Sequence, residues 1–183
     1  MVAPWVPCSD ACLDEALTAL CLKPSDLIAD LGCGDGRVLV RAVERCNCRA
    51  VGIELDEDML TRARAVVEAL PAAVGSRIDI RRADLFEAAA HWAAHAANSD
   101  DCCSQDATEA ALDGDALQGS AGDGERPTAL IMYLLPETLR KLGPVLEPLL
   151  DAGVTVCTIK WGIVGWEAYE HRSGSDWRLY RKC

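Results

Sequence analysis

Residues 30–36 read Asp30-Leu31-Gly32-Cys33-Gly34-Asp35-Gly36, directly after the apolar run Leu27-Ile28-Ala29. A strand that ends in glycines and opens into a helix brings backbone N–H groups and a helix N-terminus close to a bound ligand. The spacing is G-x-G-x-G, which differs from the G-x-G-x-x-G of dinucleotide sites. Asp30 would repel a pyrophosphate and attract an amino group. The stretch therefore predicts a site for a ligand with a cationic end.

Acidic residues recur at the ends of the next two predicted strands. Residues 37–46 have the apolar spacing of a helix, and residues 49–53 form a short buried strand that ends at Glu54. Glu54 lies 22 residues after Gly32. A carboxylate at that distance, at the end of the second strand, is placed to accept both ribose hydroxyls of a nucleoside. Residues 78–80 alternate as a third strand that leads to Asp84 and Leu85.

These three motifs, in this order and at this spacing, resemble those of class I S-adenosylmethionine-dependent methyltransferases. The resemblance implies S-adenosylmethionine as the cofactor, with Asp30 and Gly32 at its methionine end, Glu54 on its ribose and Asp84 on its adenine. Gly34 and Gly36 would allow close approach of the backbone, and Leu85 would lie against the adenine ring. The full set of cofactor contacts that it implies is Asp30, Gly32, Gly34, Gly36, Glu54, Leu55, Asp84 and Leu85.

The second half of the chain predicts the rest of an α/β fold. Residues 128–135 are a continuous apolar run, typical of a strand buried on both faces. Residues 136–150 predict a helix that the Gly143-Pro144 pair divides in two. Residues 154–160 predict a fifth strand, and residues 166–170 and 177–181 a hairpin. With the resemblance, this implies a Rossmann-like seven-stranded sheet, mostly parallel, with an antiparallel C-terminal hairpin.

Charge is distributed unevenly along the 183 residues, whose formal net charge is −11. Between residues 88 and 127 there are eight acidic residues and one basic residue. A stretch so poor in apolar side chains cannot offset the entropy cost of ordering. We therefore expect a single domain, residues 1–183, with a flexible acidic insertion at residues 96–126. The alternative is that this segment docks a basic partner.

The composition also bears on where in the cell the protein is expected to lie and on whether it binds a metal. The ten cysteines include no C-x-x-C pair, so we expect reduced thiols that act as small hydrophobes. We expect no transmembrane helix and no targeting segment, and a cytosolic address with the nucleus as an alternative. His91 and His95 have a metal-ligand spacing, but no third ligand is evident in the sequence. We therefore predict no metal site.

Residues 4–7 and 133–136 make the resemblance specific to one subgroup of the family. Together with the glycine-rich stretch they are similar to a small subgroup that includes bacterial single-domain enzymes and lysine methyltransferases of the ATP synthase c subunit. In this fold the residues after the fourth strand face the methyl acceptor, which implies catalytic roles for Tyr133 and Pro136. Tyr133 could instead lie in the sheet core, and Trp161 and Trp166 either line an acceptor channel or join the core.

The acceptor that we predict is a lysine on a basic protein, because an acidic enzyme suits a basic target. The Asn/Asp-Pro-Pro-aromatic sequence of nucleobase amine methylases is absent, and the acidic surface disfavours nucleic acid. The oligomeric state is not predicted. Two alternatives remain at this point, namely a catalytically silent methyltransferase-like subunit and a nicotinamide-dependent oxidoreductase.

Overall fold

A computed structural model describes residues 9–97 and 125–182. The strands form one sheet in the order β3-β2-β1-β4-β5-β7-β6. Their bounds are β1 Leu27–Leu31, β2 Arg49–Glu54, β3 Ile78–Arg82, β4 Ala129–Met132, β5 Thr155–Ile159, β6 Glu170–Ser173 and β7 Trp177–Tyr180.

Strand direction changes only at the C-terminal edge of the sheet. Strands β1 to β5 pair in parallel, whereas β7 is antiparallel to both β5 and β6. In the central register, Asp30 on β1 pairs with Gly52 on β2 and with Ile131 on β4. Parallel strands end at one edge, so this register gathers the ends of β1, β2 and β4 around Asp30. The predicted seven-stranded, Rossmann-like sheet is confirmed, and its antiparallel β7 distinguishes it from the 3-2-1-4-5-6 dinucleotide order.

Helices cover both faces of the sheet. One buried cluster joins side chains of α1, α2 and α3 to one face, and a second joins α5 and α6 to the other. The start of α3 is marked in the sequence by Asp56, whose side chain caps the helix by accepting hydrogen bonds from backbone N–H groups of its first turn. The bounds are α1 Asp10–Leu20, α2 Arg37–Cys46, α3 Glu57–Glu68, α4 Ala72–Gly75, α5 Leu85–Ala97 and α6 Pro136–Asp151.

Helix α6 corrects one prediction. The Gly143-Pro144 pair does not divide it, and the helix is continuous through Pro144 and Pro148. Gly143 is buried against the segment after β5, where a Cβ would lie 2.9 Å from Ile163 Cγ2. Close contact along the buried face stabilises the helix, and this tertiary burial outweighs the missing N–H groups of the prolines.

Further boundaries differ from the predictions, and β4 ends at Met132 rather than at residue 135. The first strand of the hairpin begins at Glu170 rather than at residue 166, because Trp166 is buried and residues Glu167–Tyr169 form a 3₁₀ turn. Helix α5 extends to Ala97, so the first two residues of the predicted insertion are helical. The rest of that prediction, residues 98–124, lies outside the described residues, as do residues 4–7. No helix in the described part of the chain is long and apolar enough to cross a bilayer.

Candidate active site

The glycine-rich loop after β1 has a backbone that requires its glycines. Gly32, Gly34 and Gly36 have φ angles of +82°, +55° and +78°. Residues with a Cβ rarely adopt this left-handed region. The loop closes with the N–H of Gly36 donating to the Cys33 carbonyl at 2.9 Å, and α2 begins at the next residue. The glycine-rich sequence therefore folds into a tight turn between β1 and α2, in which Gly34 and Gly36 are buried.

Glu54 joins the end of β2 to this loop. Its Oε2 accepts a hydrogen bond from the Gly34 N–H at 2.9 Å. Its Oε1 accepts from the N–H groups of Leu55 and Asp56, at 2.8 and 3.0 Å. A carboxylate has about four lone-pair positions, so this half-buried group keeps acceptor capacity for a ligand. The sequence predicts Glu54 as a ribose acceptor, but its second role, fixing the glycine-rich loop, was not predicted.

Asp30 is the buried carboxyl of the site. Its side chain is 4% exposed, on the central strand just before Gly32. Burial, together with smaller contributions from the neighbouring carboxylates of Glu54 and Asp35, raises the pKa of Asp30 from 3.8 to about 8. The charged groups that act on Asp30 are thus both negative, which favours a cationic ligand group beside it. This is the charge that the amino group of S-adenosylmethionine would supply.

The remaining predicted cofactor residues lie on the neighbouring strand ends. The backbone joins these ends directly, because the Ala83 N–H donates to the Glu54 carbonyl at 3.2 Å. Asp84 caps α5, with its Oδ1 accepting from the Phe86 N–H at 2.7 Å. Leu85 is half-buried at the start of that helix, and Leu55 is 55% exposed.

The loop after β4 contacts the glycine-rich loop from the side of β1 that lies away from β2. A Cβ on Gly32 would lie 3.1 Å from Leu134 Cδ2, so the two loops are in close contact. Tyr133 is half-buried, and its ring centroid lies 5.7 Å from that of Trp161. Leu135 is 46% exposed, and Pro136 begins α6. The structure therefore brings the predicted acceptor residues beside the predicted cofactor residues.

The cysteines of the described residues are not part of this chemistry. Cys33 lies within the glycine-rich loop, but it is buried, and burial strongly raises the pKa of its thiol. Its sulfur packs against Gly52, where a Cβ would lie 2.6 Å away. Cys12, Cys48 and Cys157 are also buried, and all six described cysteines are free thiols. The four buried cysteines pack as small hydrophobic side chains, as the sequence predicts, whereas Cys21 is exposed and Cys46 is half-buried.

The remaining candidates from the sequence are Trp166, for an acceptor channel, and the His91–His95 pair, for a metal. Trp166 is buried and contacts Tyr180 edge to face, with 5.4 Å between the ring centroids, so it belongs to the core. His95 uses its Nδ1 in a hydrogen bond with the His91 carbonyl at 2.8 Å. Within residues 9–97 and 125–182, no group of three or more His, Cys, Asp or Glu side chains is arranged to hold a metal.

Comparison with known proteins agrees with this geometry. Residues 28–114 match the family model described as a methyltransferase domain. A protein-lysine N-methyltransferase of Saccharolobus islandicus (strain REY15A) is 27% identical over 168 residues, which are 91% of this chain and 82% of the relative.

Solved structures share the fold. An RNA methyltransferase from Salinibacter ruber in complex with S-adenosylhomocysteine has a TM-score of 0.68 at 24% identity, with 96% of this chain and 92% of that chain covered. A methyltransferase from Thiobacillus denitrificans, also with S-adenosylhomocysteine, has a TM-score of 0.55 at 17% identity over 84% of this chain and 49% of that one. The motifs, the sheet order, the family match and the protein-lysine methyltransferase relative together support a class I S-adenosylmethionine-dependent methyltransferase.

Proposed function

We propose that this enzyme methylates the side-chain amine of a lysine in a protein. The observation that carries the proposal is the similarity to the Saccharolobus protein-lysine methyltransferase, which extends over most of both chains. It therefore includes the β4–α6 loop and the segment after β5, where acceptor specificity would reside, as well as the cofactor motifs.

The acceptor side of the site suits an amine on a flexible side chain. Tyr133 and Trp161 form an aromatic wall, and Leu135 adds exposed apolar surface. A free lysine has a pKa of about 10.4, so its ammonium must lose a proton before its nitrogen can attack. The aromatic faces attract the incoming ammonium, and desolvation against the apolar surface around Leu135 then favours the neutral amine.

Positioning is the main contribution that the protein makes to methyl transfer. When bound, S-adenosylmethionine supplies an electrophilic methyl group on a positively charged sulfur. Transfer to the lysine nitrogen would form a C–N bond as the C–S bond breaks, with a neutral thioether as the leaving group and the ammonium proton released to water. Asp30 would hold the methionine end of the cofactor, Glu54 its ribose and Asp84 its adenine, and Tyr133 and Pro136 would orient the acceptor in line.

Electrostatics favours a basic protein over a nucleic acid. The chain has a formal net charge of −11. The edge of the sheet where β1, β2 and β3 end also carries four acidic side chains, Asp30, Asp35, Glu54 and Asp84. Binding of nucleic acid depends on cationic contacts to phosphates, which this balance opposes. The Salinibacter neighbour described as an RNA methyltransferase shares the fold with this chain. RNA is accordingly the competing acceptor that the experiment must include.

The proposal is tested by supplying methyl-labelled S-adenosylmethionine and the purified enzyme to a cell extract separated into protein and RNA. We expect label in the protein fraction, recovered as methyl-lysine after hydrolysis. An enzyme with Glu54→Gln serves as the matched control for cofactor-dependent transfer. Label in RNA, or in an amino acid other than lysine, would contradict the proposal.

A further inference from the structure

A lysine of the enzyme itself lies on the aromatic wall of the acceptor side. Lys160 Nζ lies 4.8 Å from the centroid of the Trp161 ring. Cation–π attraction operates within about 6 Å of a ring centroid and is strongest on tryptophan. Trp161 in turn contacts Tyr133, with the rings tilted by 38°. The structure thus contains a lysine ammonium bound to the indole that faces the acceptor loop.

The backbone holds Lys160 in an unusual conformation. Its φ angle is +71°, one of three positive values among the described non-glycine residues. The conformation is fixed on both sides, because the Lys160 N–H donates to the Asp176 carbonyl at 2.6 Å and its carbonyl accepts from Arg178 Nη1 at 3.4 Å. Successive side chains of a strand point to opposite faces. The left-handed turn ends that alternation and lets the Lys160 amine reach the neighbouring ring.

The location of this contact matters as much as its chemistry. Tyr133 follows β4 and packs against the cluster on one face of the sheet, whereas Trp161 follows β5 and packs against the cluster on the other. Their contact therefore crosses the edge of the sheet where the parallel strands end. Leu134, next to Tyr133, contacts Gly32 of the cofactor loop. The aromatic pair thus lies on the acceptor side of the cofactor residues.

We propose that the face of Trp161 binds the ammonium group of the incoming substrate lysine and that Lys160 occupies this face until the substrate displaces it. The inference rests on the proposed lysine acceptor. Lys160 is exposed, so its amine can move into water when a second ammonium arrives. Lys160 is then an internal competitor that weakens substrate binding, and Trp161 is a binding residue that the substrate contacts.

The proposal predicts opposite effects for the two side chains. Lys160→Met removes the competitor and should lower the KM for a lysine acceptor about two- to fivefold, which corresponds to one exposed cation–π contact. The KM for S-adenosylmethionine should not change. Lys160→Arg retains a cation for the ring and should behave as wild type. Trp161→Ala should raise the acceptor KM, and Lys160→Met should then have no further effect.

Steady-state kinetics with a lysine acceptor tests these predictions. The matched control is Lys141→Met, which removes an exposed lysine of α6 that pairs with Glu137. Trp161→Phe retains an aromatic face and should have an intermediate acceptor KM, which guards against a loss of folding in Trp161→Ala. An unchanged or higher acceptor KM in Lys160→Met would overturn the inference while leaving the lysine acceptor intact.

A binding measurement separates this inference from the proposed function. Tetramethylammonium, a quaternary cation that needs no methyl transfer, is titrated into the enzyme and followed by NMR at the backbone N–H groups of residues 160–162, which every variant retains. Lys160→Met should bind it about two- to fivefold more tightly than wild type, and Trp161→Ala should show no binding there. Equal affinity for wild type and Lys160→Met would overturn the inference, whatever acceptor the enzyme proves to use.

Discussion

Replacing Glu54 by glutamine tests the loop contacts that the structure shows for this side chain and the ribose contact that we predict for it. The carboxylate accepts three backbone hydrogen bonds, from Gly34 on one oxygen and from Leu55 and Asp56 on the other. A glutamine has a single acceptor oxygen. If that oxygen keeps the hydrogen bonds from the N–H groups of Leu55 and Asp56, the glutamine NH₂ faces the Gly34 N–H. Two hydrogen-bond donors then face each other without an acceptor.

The expected magnitude follows from these contacts. Losing one hydrogen bond to a charged acceptor costs about 1.5–3 kcal/mol, and the half-buried position of Glu54 favours the lower end. The free energy of unfolding should therefore fall by about 1.5 kcal/mol. Two ribose hydroxyls would also lose a charged acceptor, and neutral hydrogen bonds are about half as strong. We expect the Kd for S-adenosylhomocysteine to rise about 30-fold, equivalent to about 2 kcal/mol.

Calorimetric titration of S-adenosylhomocysteine measures the affinity, and urea unfolding measures the stability. Glu57→Gln is the matched control, because Glu57 lies three residues further on, is exposed and pairs with Arg82. Its effect on stability should stay within about 1 kcal/mol, as for other exposed ion pairs. A Kd for Glu54→Gln within twofold of wild type, or an equal loss of affinity in Glu57→Gln, would refute the reasoning.

Three more substitutions test the same edge of the sheet. Gly32→Ala places a Cβ 3.1 Å from Leu134 at a φ of +82°, so we expect a strain of about 1–2 kcal/mol and weaker S-adenosylhomocysteine binding by calorimetry. Asp30 binds a proton in the folded state up to a pKa of about 8, so stability should decline as pH rises from about 4 to 8. Asp30→Asn should remove that decline in melting curves across this range. Gly52→Ala places a Cβ 2.6 Å from the sulfur of Cys33 and should destabilise by about 1–3 kcal/mol in urea unfolding, whereas an unchanged midpoint would contradict the close contact.

Much of the cofactor half could be predicted because its determinants are local. Positive φ angles at Gly32, Gly34 and Gly36 follow from residue type and spacing. Glu54 ends a strand whose apolar run is plain in the sequence, and Asp56 is a recognisable helix cap. The cofactor contacts themselves stay a prediction, since they follow from the family resemblance and from the position of these residues.

The predictions that were wrong concern segments whose secondary structure is determined by burial against distant parts of the chain. Gly143-Pro144 has the local chemistry of a helix break, yet Gly143 allows α6 to approach Ile163 closely and the helix continues. Trp166 has a strand former's side chain, but its burial against Tyr180 keeps that segment out of the sheet. Local propensity is a weak guide at such positions because packing against distant residues outweighs it.

The acceptor side was the least predictable part for the same reason. Tyr133 and Trp161 lie 28 residues apart in the chain, and only the pairing of β4 with β5 brings them together. The contact between Lys160 and Trp161 depends on a left-handed residue that has no glycine or asparagine to mark it. Long-range strand pairing thus creates the aromatic wall, and no short motif could have indicated it.

A crystal structure of the enzyme with S-adenosylhomocysteine tests the central claim most directly. We predict the ribose hydroxyls within hydrogen-bond distance of the Glu54 carboxylate, the amino group beside Asp30 and the sulfur facing the Tyr133–Trp161 pair. A ligand bound away from the ends of β1, β2 and β3, or with its sulfur turned away from the loop after β4, would contradict the account.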